Sequence, residues 1–217
     1  MKAFHPTFGR QPWPDGLRAL QVYALPDLPP GSALDVLLAG LRRAMLGFPV
    51  LPVRSDGFHI TLDMVTSAPA EAISDAARHD LTDQLHGALA GTGPIDLLQA
   101  GSPIAYRTGV RLDLHPDGEL AALQHRARTA VHRVFGKDAT DYPLGVLHMT
   151  AAYAAADTDT DELAQAIHQV RPGHAPFTVS RVIVNEVHWR PAPLPGRNDL
   201  LGWQIGWDTI AAIPLGA

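Results

Sequence analysis

The 217 residues contain no cysteine, which excludes a disulfide scaffold, a thiolate nucleophile and Cys-ligated zinc or iron–sulfur, and makes a reducing cytoplasm the expected setting. Basic charge is scarce too: 17 Lys+Arg against 22 Asp+Glu give a formal net charge of −5. A chain so balanced carries no broad cationic track for duplex DNA or an anionic membrane surface. No stretch approaches the roughly 18 uninterrupted apolar residues of a membrane span, and the opening MKAFHPTFGRQPWPDG lacks the apolar centre of a signal peptide. Three motifs are missing as well: G-x-x-x-x-G-K-[ST], G-x-S-x-G and H-E-x-x-H, which disfavours P-loop, serine-hydrolase and zinc-protease chemistry. What remains is an ordinary globular composition, 46% hydrophobic and 18% charged, of a length suited to one well-buried domain.

Periodicity divides the chain. Residues 1–18 hold three prolines and two glycines without a repeat and read as an irregular lead-in. Leu20, Val22 and Ala24 alternate in a strand that ends at Pro26, and Leu34, Leu37, Leu38, Leu41 and Met45 follow at helical spacing behind Ser32 as N-cap. A second strand sets Phe58, Ile60, Leu62 and Met64 on one face and His59, Thr61 and Asp63 on the other. Helical spacing returns from Pro69 to Ala90, strands at 95–101 and 106–114, a helix over Leu120–Val134, and a strand at 142–154. That last strand groups Val146, His148, Thr150 and Ala152 against Leu147, Met149, Ala151 and Tyr153. The remainder supplies a short helix in ELAQAIHQV, capped by Asp159 with Glu162, then the β-prone FTVSRVIVNEVHW, a Pro-rich loop in RPAPLPGRND and a closing strand.

The order strand, helix, strand with His-x-Thr occurs twice, from about Val22 to Val65 and from about Val110 to Tyr153. Val22 to Val110 spans 88 positions and His59 to His148 spans 89. The expected architecture is therefore α+β: a bilobal, pseudo-two-fold duplicated domain over residues 19–217, with two mainly antiparallel sheets flanking a central cleft and helices outside. Composition alone predicts about 0.7 His-x-Thr tripeptides, yet His5–Thr7, His59–Thr61 and His148–Thr150 are all present. The first lies in the irregular segment with Pro6 between its partners and reads as accidental. The other two share a strand setting and equivalent places in the repeat.

Residues i and i+2 of a strand project to one side, so each motif presents an imidazole beside a hydroxyl. Two such strands brought face to face surround a small volume with two of each. Displacement at phosphorus needs a base on the attacking oxygen and an acid on the leaving oxygen. Histidine serves both roles near neutrality, while a threonine hydroxyl donates to a non-bridging oxygen. Near-symmetry makes the two roles almost interchangeable; the sequence reading leans to His148 as base and His59 as acid. Arg111 on the polar face of its strand, and Tyr23 as its approximate counterpart in the first unit, are candidate substrate contacts together with Tyr153. Arg111 would clamp a phosphate and either tyrosine would stack a base, with a surface salt bridge and core packing the equally weighted structural roles.

FHITLDMV and LHMTAAYA resemble the paired H-x-[ST] signatures of the two-histidine phosphoesterases, the superfamily that includes the bacterial 2′-5′ RNA ligases and RNA 2′,3′-cyclic phosphodiesterases. The likeness extends over about Leu20 to Leu215. It implies a metal-free, cofactor-free cleft and hydrolysis of a 2′,3′-cyclic phosphate on a nucleotide or RNA terminus, or the opening or joining of 2′-5′ linkages, by a monomer. It also implies His59, Thr61, His148 and Thr150 as the reacting set. Ala151 departs from the larger residue usual after the second Thr. Two other readings stay open: a binding module that holds a nucleotide or RNA end without turnover, and a phosphoesterase of a small metabolite.

Overall fold

The computed structural model describes residues 1–216. A two-residue ribbon, β1 (Thr7–Phe8) and β2 (Gln11–Pro12), opens the chain. It is followed by β3 (Ala19–Pro26), α1 (Ala33–Ala44), β4 (Val50–Pro52), β5 (Ile60–Met64), α2 (Asp75–Leu89), β6 (Ile95–Tyr106), β7 (Gly109–His115), α3 (Gly118–Phe135), β8 (His148–Ala154), α4 (Asp161–His168), β9 (His174–Leu194) and β10 (Arg197–Pro214). Helix starts follow local chemistry: Ser32 Oγ accepts from the Asp35 amide and Ser74 Oγ from the Ala77 amide, each satisfying an orphan donor of the first turn. At α4 the expected Asp159/Glu162 box does not form. Thr160 is the N-cap, and Asp159 Oδ1 accepts from the Asp161 amide instead.

Eight strands join one antiparallel sheet in the order β10-β9-β3-β5-β8-β7-β6, with β4 on β8 and a further β9–β6 pairing. The sequence predicts two separate sheets; a single barrel-like sheet is found. The cause is β9, whose 21 residues extend for about 70 Å. Its first part pairs with β6 and its later part with β3, so it joins the first repeat's β3 to β6, the neighbour of β7. The Pro-rich RPAPLPGRND is not a loop either. Pro191, Pro193 and Leu194 pair with Trp203, Leu201 and Arg197, and Gly196 turns the hairpin at φ +73°. Prolines two apart leave their missing N–H groups on one edge of the strand, which a hairpin tolerates.

The helices cover one face of this sheet. Leu34, Leu37, Leu38 and Leu41 of α1, Leu81, Leu85 and Leu89 of α2, and Leu120, Leu123, Ala127 and Val131 of α3 form one core with Leu20, Val22, Ile60, Leu62, Leu112 and Met149. Burial at about 25 cal/mol per Å² of apolar surface is the main force that fixes this layer. The reverse face carries a second, smaller cluster, Tyr23, Ile183, Val187 and Ile205, against which Trp13, Leu25, Trp189 and Trp207 pack. Among the described residues no helix is long and apolar enough to cross a membrane.

Candidate active site

Strands β5 and β8 meet at one bridge, Ile60 opposite Met149. Both side chains are fully buried on the helix side, so the residues flanking them point to the reverse face. One step either way in this antiparallel register sets His59 level with Thr150 and Thr61 level with His148. The neighbouring strands repeat the arrangement. Tyr23 on β3 stands opposite Thr61, and Arg111 on β7 stands opposite Thr150.

A register shift accompanies each pair. Val22 pairs with Asp63 and Tyr23 with Thr61, skipping Leu62; Val110 pairs with Ala152 and Arg111 with Thr150, skipping Ala151. The extra residue falls directly after the threonine in both motifs, and a bulge reverses the facing of everything beyond it. Strict alternation therefore misplaces two residues. Asp63, expected beside His59, turns under the sheet, where its carboxylate is fully buried and accepts from Arg128 Nε at 2.7 Å and from the Tyr142 hydroxyl at 2.7 Å. Tyr153, expected with Met149 on the apolar face, turns toward the motifs.

His59, Thr61, Arg111, His148, Thr150 and Tyr153 line one pocket of about 190 Å³, completed by Phe4, Thr108 and Gly109. Both imidazoles are held alike. Nδ1 of His59 lies 2.8 Å from the carbonyl of Gly57, and Nδ1 of His148 lies 2.9 Å from that of Val146. A carbonyl only accepts, so each Nδ1 carries hydrogen and each neutral ring keeps an unprotonated Nε2 for chemistry.

Their surroundings differ. His59 is 8% exposed; its ring stacks on Tyr23 with centroids 4.1 Å apart and receives the edge of Trp207 at 5.5 Å. Burial pushes its pKa down to about 4, opposed by the Gly57 carbonyl and aided by the charge of His148. His148 is half-buried. Burial lowers its pKa as well, the Val146 carbonyl and Asp113 oppose the shift, and Arg111 adds to it. Asp113 stands directly opposite His148 in the β7–β8 register.

Arg111 is half-buried, makes no ion pair among the described residues, and rests its guanidinium 4.4 Å over the Tyr106 ring. An unpaired, partly desolvated guanidinium facing a pocket is chemically suited to an anion. Tyr153 packs between Phe4 at 4.4 Å and Trp189 at 5.0 Å, and burial pushes its phenol up to about 12. Tyr23 is 1% exposed, its ring enclosed by His59 and Trp207, which places it to orient His59 and leaves no face for a base to stack on. The helix histidines His79, His86, His125 and His132 lie away from this pocket. Among the described residues no group of three or more His, Cys, Asp or Glu side chains could hold a metal ion.

Two neighbours of the site, the pocket wall Phe4 and the His59 contact Trp207, had no signal in the sequence. Phe4 sits in the lead-in, where nothing is periodic, yet its amide donates to the Ala154 carbonyl at 2.8 Å and its ring closes the pocket. Trp207 alternates with Ile205 on β10, a pattern that marks a buried strand face without saying which strand it covers.

A sheet closed through β9 carries two histidines and two threonines around one small pocket. The chain belongs to the 2′-5′ RNA ligase superfamily, whose profile matches residues 24–188. Solved structures agree in fold. The apo form of E. coli LigT is 16% identical, covers 93% of this chain and 99% of its own, and superposes with a TM-score of 0.56. The protein TT0787 of Thermus thermophilus, also 16% identical, covers 91% and 97% with a TM-score of 0.55. LigT complexed with 3′-AMP is 14% identical, with 93% and 99% coverage and a TM-score of 0.56. No curated protein sequence matches the chain.

Proposed function

We propose that this protein is a metal-independent phosphodiesterase that hydrolyses 2′,3′-cyclic phosphates of nucleotides or RNA ends by general acid–base catalysis between His59 and His148. One observation carries the reading: two imidazoles, each fixed by an Nδ1–H bond to a carbonyl two residues earlier, present free Nε2 atoms to one small pocket that also holds Thr61, Thr150 and Arg111. The threonine hydroxyls and the guanidinium hold the non-bridging phosphate oxygens and stabilise charge that builds on them. One histidine takes a proton from water while the other gives one to the departing oxygen. The pocket of about 190 Å³ suits a phosphate group with part of a ribose, and the net charge of −5 favours a short ligand over a long RNA track. That LigT has been crystallised with 3′-AMP supports a nucleotide as the ligand class. The two halves are read as related by a local two-fold axis at the Ile60–Met149 bridge, which sets acid and base on opposite sides of phosphorus.

The test is hydrolysis of adenosine 2′,3′-cyclic phosphate in the presence of EDTA. His59→Ala and His148→Ala are each expected to lower kcat/KM by at least about 100-fold, the lower range for loss of a general acid or base. Full activity in both variants, or tight nucleotide binding by the wild type with no product over hours, refutes the reading; the second result identifies a binding module.

A further inference from the structure

The two histidines sit on unlike flanks, and the difference orients the substrate. Above His59 there is no room: Tyr23 stacks on its ring at 4.1 Å and Trp207 closes the edge. Beside His148 a second pocket of about 210 Å³ opens, lined by Ile104, Tyr106, Arg111, Asp113, Val146 and His148 itself. It shares Arg111 and His148 with the phosphate pocket, so the two adjoin. Its apolar walls are uncovered, with Val146 80%, Ile104 46% and Tyr106 39% exposed, a cluster that marks a binding surface for an apolar group. A cavity of about 450 Å³ on the other flank, beyond Trp207, has no residue in common with the phosphate pocket.

Charge follows the same division. Two residues after the partner of its threonine, β7 carries Asp113 and β3 carries Leu25. His148 thus has a carboxylate that favours its protonated form, set against burial and the Arg111 guanidinium, which disfavour it, while the place equivalent to that carboxylate beside His59 is apolar.

We propose that the organic part of the ester seats in the pocket formed by Ile104, Tyr106 and Val146, so that the leaving oxygen faces His148 as acid and water enters at His59 as base. This rests on the phosphodiesterase reading and reverses the assignment to which the sequence leans. Water oxygen bonds to phosphorus and passes a proton to His59 Nε2. The phosphorus–oxygen bond on the His148 side breaks, its electron pair stays with the departing oxygen, and His148 Nε2–H protonates that oxygen. One water and the cyclic diester give one monoester that carries the freed hydroxyl, an acyclic diester gives a monoester and an alcohol, and solvent exchange returns each histidine to its starting state.

An aryl leaving group separates the roles, because nitrophenolate departs without a proton. Wild type, His59→Ala and His148→Ala are assayed on adenosine 2′,3′-cyclic phosphate and on methyl 4-nitrophenyl phosphate. The expected pattern is a loss of at least about 100-fold for His59→Ala on both esters, and for His148→Ala a comparable loss on the cyclic ester but less than about 10-fold on the aryl ester. The double variant Ile104→Ser/Val146→Ser, exposed at both positions, is expected to raise KM for the aryl ester about tenfold with kcat little changed. Rescue of His59→Ala instead of His148→Ala, equal losses in all four cases, or an unchanged KM in the double variant overturns the proposal while the phosphodiesterase reading stands. So does wild-type turnover of the cyclic ester alone. Turnover of neither ester removes both.

Discussion

Burial of His59 has a price in acid that equilibrium unfolding can measure. In the folded protein its pKa is pushed down to about 4, whereas an unfolded histidine titrates near 6.5. Between those values the unfolded chain binds a proton that the native ring refuses, so stability rises with pH and is lost as pH falls through 6.5. The whole difference, about 3 kcal/mol, is reached below pH 4. At about pH 5 most of it is already felt: the unfolded state is stabilised by about 2 kcal/mol relative to its level at about pH 7.5. His59→Phe keeps a ring against Tyr23 and Trp207 and removes the titration. Urea unfolding of wild type and variant at both pH values isolates the contribution, since carboxylates and the other histidines change alike in the two proteins. With a urea slope of about 2 kcal/mol per M, the midpoint of the wild type should fall about 1 M further than that of the variant. Equal acid sensitivity, to within about 0.5 kcal/mol, would mean that His59 is solvated or shares its proton with another group, and the closed flank above it would have to be abandoned.

Asp63→Asn removes the carboxylate that Arg128 and Tyr142 share beneath β5; leaving the guanidinium buried without its partner should cost about 3 kcal/mol or more in chemical denaturation, and a loss below about 1 kcal/mol would show that the network is dispensable. Phe4→Ala uncovers Tyr153 and Trp189 without touching a reacting group, so KM for the cyclic nucleotide should rise up to about tenfold, equivalent to about 1.4 kcal/mol, with kcat nearly unchanged in steady-state assays; a fall in kcat alone would place the lead-in elsewhere in the catalytic cycle.

Much of the site is legible in the linear order. Two His-x-Thr segments at matched places in a strand–helix–strand repeat suffice to pick out His59, Thr61, His148 and Thr150, and all four line one pocket. Spacing pairs Arg111 and Tyr23 as counterparts, and each does stand opposite the threonine of its own motif. Alternation fails where a bulge interrupts it, at Leu62 and Ala151. Neither residue carries a mark that distinguishes it from a regular strand position, because a bulge is set by how two strands pair and not by one strand's composition.

The sequence by itself determined the chemistry available: imidazoles, hydroxyls and a guanidinium, no thiol, and the apolar spacing that builds the helices and strands. Those properties depend on residue type and on contacts a few positions away, so they survive reading in one dimension. Only the tertiary structure decided that β9 would close two expected sheets into one, that Phe4 would wall the pocket, and that His59 would lie sealed under Tyr23 and Trp207 while His148 opens onto an apolar recess. These depend on which distant segments meet, and burial, the quantity that makes two chemically identical histidines different, exists only once they have met.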